Sequence, residues 1–73
     1  MLTRRKLIKE YNNNGEKLRK NVLDMTDEEY YQCLGALKVL SVLLDGYDRA
    51  TLRVNSIKNY YDEKRNERGN QNA

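Results

Sequence analysis

Residues 25–47 read MTDEEYYQCLGALKVLSVLLDGY, and this stretch decides the fold. Thr26 stands three residues before Glu29. At that spacing the threonine hydroxyl accepts the amide of the third helical residue, while the glutamate carboxylate returns to the amide of the cap. Met25 is placed to staple onto Tyr30, and Asp27, Glu28 and Glu29 set negative charge at the positive end of the helix dipole. Tyr30, Cys33, Leu34, Leu37, Leu40 and Leu44 then recur at steps of three and four. The pattern predicts a helix over 26–45 with one clear apolar stripe.

A second apolar arc lies outside that stripe: Tyr31, Ala36, Val39, Val42 and Leu43. A helix that is apolar nearly all round is either the centre of its domain or shared with a second chain. The sequence therefore predicts a cover over the region around Leu40 beyond its hairpin neighbour. Gly35 and Ala36 would let a backbone approach closely.

Asp45-Gly46 reads as a helix end, with Gly46 in the left-handed position and Asp48 capping the next helix. Tyr47, Ala50, Val54, Ile57 and Tyr61 begin a new stripe whose phase slips by one residue. This predicts a second helix over 48–66, running antiparallel to the first, with one long helix kinked at Gly46 as the rival. A hairpin turning at residue 46 brings Tyr30 and Tyr31 towards Tyr60 and Tyr61. The polar end, residues 69–73, is expected to be a disordered tail.

Before residue 25, Leu7, Ile8 and Tyr11 form one short apolar set and Leu18, Val22 and Leu23 another, separated by Asn12, Asn13, Asn14 and Gly15. Flanks rich in Lys, Glu, Arg and Leu favour helix over strand. The expectation is two short helices, or one broken helix, lying on the second arc of the 26–45 helix. The predicted fold class is thus all-α: a small helical bundle built on a long antiparallel helical hairpin with an N-terminal helical segment. Residues 1–68 are expected to form a single helical domain.

Composition narrows the chemistry. The 73 residues contain no His, Trp, Phe or Pro, a single Cys and six Tyr. Without His there is no Ser-His triad, no ordinary Cys/His zinc site and no side chain that titrates near neutrality unperturbed. Cys33 falls on the apolar stripe and reads as a buried thiol rather than a nucleophile. Asp27, Glu28 and Glu29 are explained by the helix start, so no metal is expected, and no glycine-rich phosphate loop is present. The expectation is a protein that is not an enzyme and needs no cofactor. With one cysteine, no signal peptide and no apolar run long enough for a bilayer, a cytoplasmic location and no membrane partner are expected. Nine Asn, seven Lys and six Tyr match the codon usage of AT-rich genomes, among them phages, plasmids and low-GC bacteria.

Charge is unevenly spread around a net of +3. Residues 1–25 hold seven basic and three acidic side chains, residues 26–48 hold one and five, and residues 49–73 hold six and three. Such ends can steer an acidic partner or nucleic acid, or can pair with the acidic middle.

Residues 46–53, GYDRATLR, resemble the turn and recognition helix of helix-turn-helix regulators of the G-[VY]-S-R-A-T-[VL]-R type. The resemblance implies a DNA-reading segment at 45–59, with Arg49, Thr51, Arg53, Asn55 and Lys58 at the groove and Arg4, Arg5 and Lys6 as a phosphate-contacting arm. The chain departs from that pattern at Asp45 and Asn55, where apolar residues are usual, and at Val42, where a small alanine is usual. A solvated basic helix face is the competing reading.

Six tyrosines exceed what one small core can bury, and tyrosine suits interfaces because a large rigid ring carries a polar tip. The expected function is that of a non-catalytic interaction protein, of a kind phages and mobile elements encode, that binds and modulates or inhibits another macromolecule. Tyr30, Tyr31, Tyr60, Tyr61, Val39 and Leu43 are its expected partner-binding residues. The alternatives are a small DNA-binding transcriptional regulator and a structural subunit of a larger assembly. A protein partner is expected; a homodimer and a nucleic-acid partner are the other candidates.

Overall fold

In a computed structural model, which describes residues 3–71 and side chains as far as Glu67, the chain forms three helices and no strand among those residues. They are α1 (Arg4–Asn21), α2 (Asp27–Asp45) and α3 (Tyr47–Gln71). Helix α2 is the centre. Helix α1 runs antiparallel along one side of it, so that Asn14 meets Cys33 and Arg4 reaches Leu44. Helix α3 returns along the other side, so that Arg53 meets Ser41 and Asp62 meets Tyr30. The backbones of α1 and α3 stay more than 8 Å apart, Cα to Cα, and the two helices meet only through side chains.

The start of α2 forms as its sequence dictates. Thr26 Oγ1 accepts the Glu29 amide at 3.1 Å, and Glu29 Oε1 accepts the Thr26 amide at 3.1 Å. Its end is a single residue: Gly46 has φ 92° and ψ 164°. That is not the left-handed helical position the Asp-Gly pair suggests but an extended positive-φ conformation that is essentially glycine's alone. Because one residue makes the whole turn, α3 begins at Tyr47, and Asp48 lies inside the first turn rather than capping it. Helix α3 then continues to Gln71, so residues 69–71 of the expected tail are helical; residues 72 and 73 lie outside the described residues.

Helix α1 is one unbroken helix, not two pieces. Thr3 caps it by accepting the Lys6 amide at 3.2 Å, and Asn14 Nδ2 donates to the Glu10 carbonyl at 2.9 Å, binding the suspected breaker into the helix. Three asparagines and Gly15 together cost roughly 2–3 kcal/mol of helix propensity. Tyr11 and Leu18 lie two turns apart on one face, and both pack on the core, so burial on each side of the weak stretch holds it helical.

The core comprises Leu18 and Val22 near the end of α1, Tyr30, Cys33, Leu34 and Leu37 of α2, and Val54 of α3. Tyr11, Met25, Ile57 and Tyr61 pack around it, and Ala50 is fully buried. Ser41, which the apolar pattern omits, is also fully buried, with its hydroxyl accepting from Arg53 at 2.9 Å. Tyr47, assigned by spacing to the α3 stripe, is exposed instead and lies beneath the Lys38 ammonium, 5.3 Å from its ring centroid.

Candidate functional site

The side of α2 turned away from both neighbours is left open. Helix α1 covers the Cys33 side and α3 the Leu34 and Ser41 side, whereas Tyr31, Val39 and Leu43 keep 55%, 60% and 58% exposure. With half-buried Val42 they are side chains of the second arc, which the N-terminal segment was expected to cover. It does not: α1 lies on the main stripe, where Leu18 and Val22 join Tyr30, Cys33, Leu34 and Leu37 in the core. Gly35, Lys38, Val39, Val42 and Leu43 line an almost wholly apolar depression of about 390 Å³ on the open side. Gly35 supplies its floor, with nothing within 4 Å of where a Cβ would lie.

The tyrosines do not form a single patch. Adjacent helix residues point about 100° apart, so each pair is divided between inside and outside. Tyr30 is buried, and its hydroxyl lies 2.8 Å from Asp62 Oδ1 and 3.2 Å from the Lys58 carbonyl oxygen. Burial, followed by the hydrogen bond to Asp62, pushes the phenol well above its ordinary range. Tyr30 is therefore a core residue here and unavailable to a partner. Tyr61 is half-buried, and Tyr60 is 56% exposed. Tyr60 and Tyr61 border a second depression of about 320 Å³ with Arg19, Lys20, Val22, Leu23, Asp24 and Lys64. The ring contacts lie within each pair, at 5.3 Å for Tyr30–Tyr31 and 5.0 Å for Tyr60–Tyr61.

The residues assigned to nucleic acid are also divided. Arg53 is held by Asp45 Oδ2 at 2.6 Å and by Ser41, which drives the Asp45 carboxyl below its usual range. Lys58 pairs with Asp62 at 2.7 Å. Thr51 is half-buried, with its hydroxyl oxygen enclosed and without a hydrogen-bond partner. Arg4, Arg5, Lys6, Arg49 and Asn55 are exposed. A helix-turn-helix crosses its two helices at roughly 90–120° through a turn of three or four residues. Here one residue joins α2 to α3, and α3 follows α2 back to Tyr30, so residues 45–59 do not adopt that crossing.

Arg65 was not among the expected functional or core residues, yet it ties three parts of the chain together. Its Nη1 donates to the carbonyls of Val22 at 2.6 Å and Met25 at 3.0 Å, and its Nη2 meets Asp27 Oδ1 at 2.6 Å. Its guanidinium also lies 4.6 Å from the Tyr30 ring centroid. No local pattern announces this role, because its partners lie about 40 residues away.

Cys33 is buried, its Sγ lies 3.4 Å from the Asn14 carbonyl oxygen, and burial pushes its thiol up, against thiolate chemistry. Among the described residues no group of three His, Cys, Asp or Glu side chains could hold a metal ion. Among the same residues no helix is long and apolar enough to cross a membrane. Comparison with protein-family models, with curated proteins and with solved structures finds no match to this chain.

Proposed function

We propose that this chain is a non-catalytic interaction protein that docks the open side of α2 onto a helix of another protein and acts by occluding the surface it covers. One observation carries the reading: Tyr31, Val39 and Leu43 are more than half exposed on one side of the helix whose remaining sides form the core. The fold closes without them, so folding gives no reason for their apolar character. The shallow, glycine-floored depression has the shape that receives an apolar helix face, with exposed Tyr31 as a ring anchor at one end. Exposed Glu28 near the start of α2 and Lys38 at the side of the depression supply charges of opposite sign that can set orientation and on-rate. The same reading places the protein in the cytoplasm, where a lone thiol stays reduced.

A photoreactive side chain placed at Val39, with a matched one at Glu63 on α3 as control, tests the reading in cells that carry the partner. The expected result is a discrete heterologous adduct from position 39 alone. Equal adducts from both positions, or none from position 39, would overturn it. An adduct of twice the chain mass would replace it with self-association.

A further inference from the structure

The open side of α2 leaves one concentration of charge unexplained. Arg4, Arg5 and Lys6 fill the first turn of α1, where the helix dipole disfavours cations. The antiparallel packing carries them to the end of the bundle where α2 stops: Arg4 Nη1 lies 3.4 Å from the Leu44 carbonyl oxygen. Because Gly46 makes the turn alone, Arg49 stands in the opening turns of α3 at that same end. Two sets of cations more than forty residues apart in sequence thus meet at one end of the bundle, where the charges of Arg4 and Arg49 both act on Asp45, while Arg5 and Lys6 step round α1 by about 100° each. Among the described residues none of Arg4, Arg5, Lys6 or Arg49 has a carboxylate within 4 Å, and neither do Lys9, Lys17, Lys38 and Lys64, whereas Arg19, Lys20, Arg53, Lys58 and Arg65 are paired. Of the two carboxylates at this end, Asp45 is already taken by Arg53, with the charges of Arg4 and Arg49 acting on it as well, and Asp48 is exposed beside Arg49.

We propose that this end of the bundle is a contact site for the phosphate backbone of a nucleic-acid duplex. Three of the four cations are arginines, whose planar forks match phosphate oxygens. The adjoining outer side of α3 is exposed at Leu52, Asn55, Ser56 and Asn59 and carries no acidic residue between Arg49 and Asn59. Amide and hydroxyl groups of this kind bond to sugars, phosphates and base edges, and an apolar side chain can meet a thymine methyl. The exposed ring at this end, Tyr47, stands beside the Lys38 ammonium, and competition by polyglutamate separates an acidic protein from a duplex. The site differs from the helix-turn-helix reading in its members: Arg53 and Lys58 are engaged with carboxylates and Thr51 is half-buried, whereas Arg5, Lys6 and Arg49 are exposed and Arg4 rests on the Leu44 carbonyl. It is also independent of the open side of α2.

The test is fluorescence anisotropy of a labelled mixed-sequence duplex of about 20 base pairs, titrated with the full chain between about 50 and 200 mM salt. Four phosphate contacts imply a slope of log affinity on log salt of about −3 to −4, and Arg5→Ala, Lys6→Ala and Arg49→Ala should each reduce its magnitude by about 1. These exposed side chains hold no ion pair, so the variants should melt like the parent. Arg19→Ala and Lys64→Ala, at the other end, should leave the slope unchanged, as should Val39→Asp with Leu43→Asp. Absence of salt-dependent binding at about 50 mM would overturn the proposal, as would equal losses from the two ends. Competition by polyglutamate as strong as by unlabelled duplex would also overturn it, pointing to an acidic protein.

Discussion

The Arg65 guanidinium lies 4.6 Å from the ring centroid of Tyr30, and the pair closes the end of the bundle where the α1–α2 loop meets α3. Its side chain is only 18% exposed, and it donates to Val22, Met25 and Asp27 at once. Removing it would leave two loop carbonyls without this donor and uncover a buried ring. Arg65→Ala should cost about 2–4 kcal/mol, and Arg65→Lys should recover less than half, because an ammonium cannot reproduce the planar fork. Urea denaturation of the three proteins measures both values. Full recovery by lysine would show that charge alone suffices.

The glycines should separate by backbone conformation. Gly46 alone has positive φ among the described residues, and Gly46→Ala should destabilise by about 1–3 kcal/mol although the space around it is open. Gly15 and Gly35 lie inside helices, also with open space where a Cβ would sit, so alanine at either should stabilise by about 0.5–1 kcal/mol. In a chain of this size that gain raises Tm by about 2–8 °C, readable by circular dichroism.

Stability should fall at both ends of the pH range for opposite reasons. Asp62, held by Lys58, and Asp45, held by Arg53, have carboxyls below their ordinary range, as does Glu29 in its capping box. Their folded forms bind protons more weakly than the unfolded chain, so their contribution is complete above about pH 5 and is lost on acidification below about pH 4. Tyr30 and Lys58 are shifted upward, Tyr30 chiefly by burial and Lys58 chiefly by its hydrogen bond to Asp62. Their contribution is complete below about pH 10 and declines above it. Thermal melts across this range should show a plateau with two falling arms, and Tyr30→Phe should flatten the alkaline arm and shorten the acid arm less, because Lys58 is the larger cause of the Asp62 shift and the Tyr30 hydroxyl a lesser one. An unchanged alkaline arm in that variant would remove Tyr30 from the account.

The parts of the fold that the sequence made legible are those set by local rules. The Thr26–Glu29 box, the break at Gly46 and the two stripes depend on residues within a few positions of each other, and the antiparallel hairpin follows from them. The continuity of α1 was not legible, because the Asn12–Gly15 turn signal is local while the packing that overrides it joins Tyr11 and Leu18 to a core made elsewhere. The division of the tyrosine pairs follows from the 100° step of a helix, and the buried Tyr30 shows that adjacency in sequence is a poor guide to a shared surface. Arg53, Asp62 and Arg65 look like solvated charges in the sequence, since the carbonyls and hydroxyls they bind are distant in the chain. The open side of α2 was half legible: the excess of apolar residues predicted a cover, and packing shows that α1 does not supply it and that the side is left exposed.

The account turns on whether the open side of α2 is surplus to folding, and thermal unfolding of a Val39→Asp, Leu43→Asp double variant measures this most directly, with Leu37→Ala as reference. Val39 and Leu43 are 60% and 58% exposed, whereas Leu37 is 1% exposed. The double variant should unfold cooperatively with Tm within about 4 °C of the parent, while Leu37→Ala loses about 2–5 kcal/mol. A double variant that unfolds as readily as Leu37→Ala would show that this side is buried within the folded chain and has no surface to offer a partner.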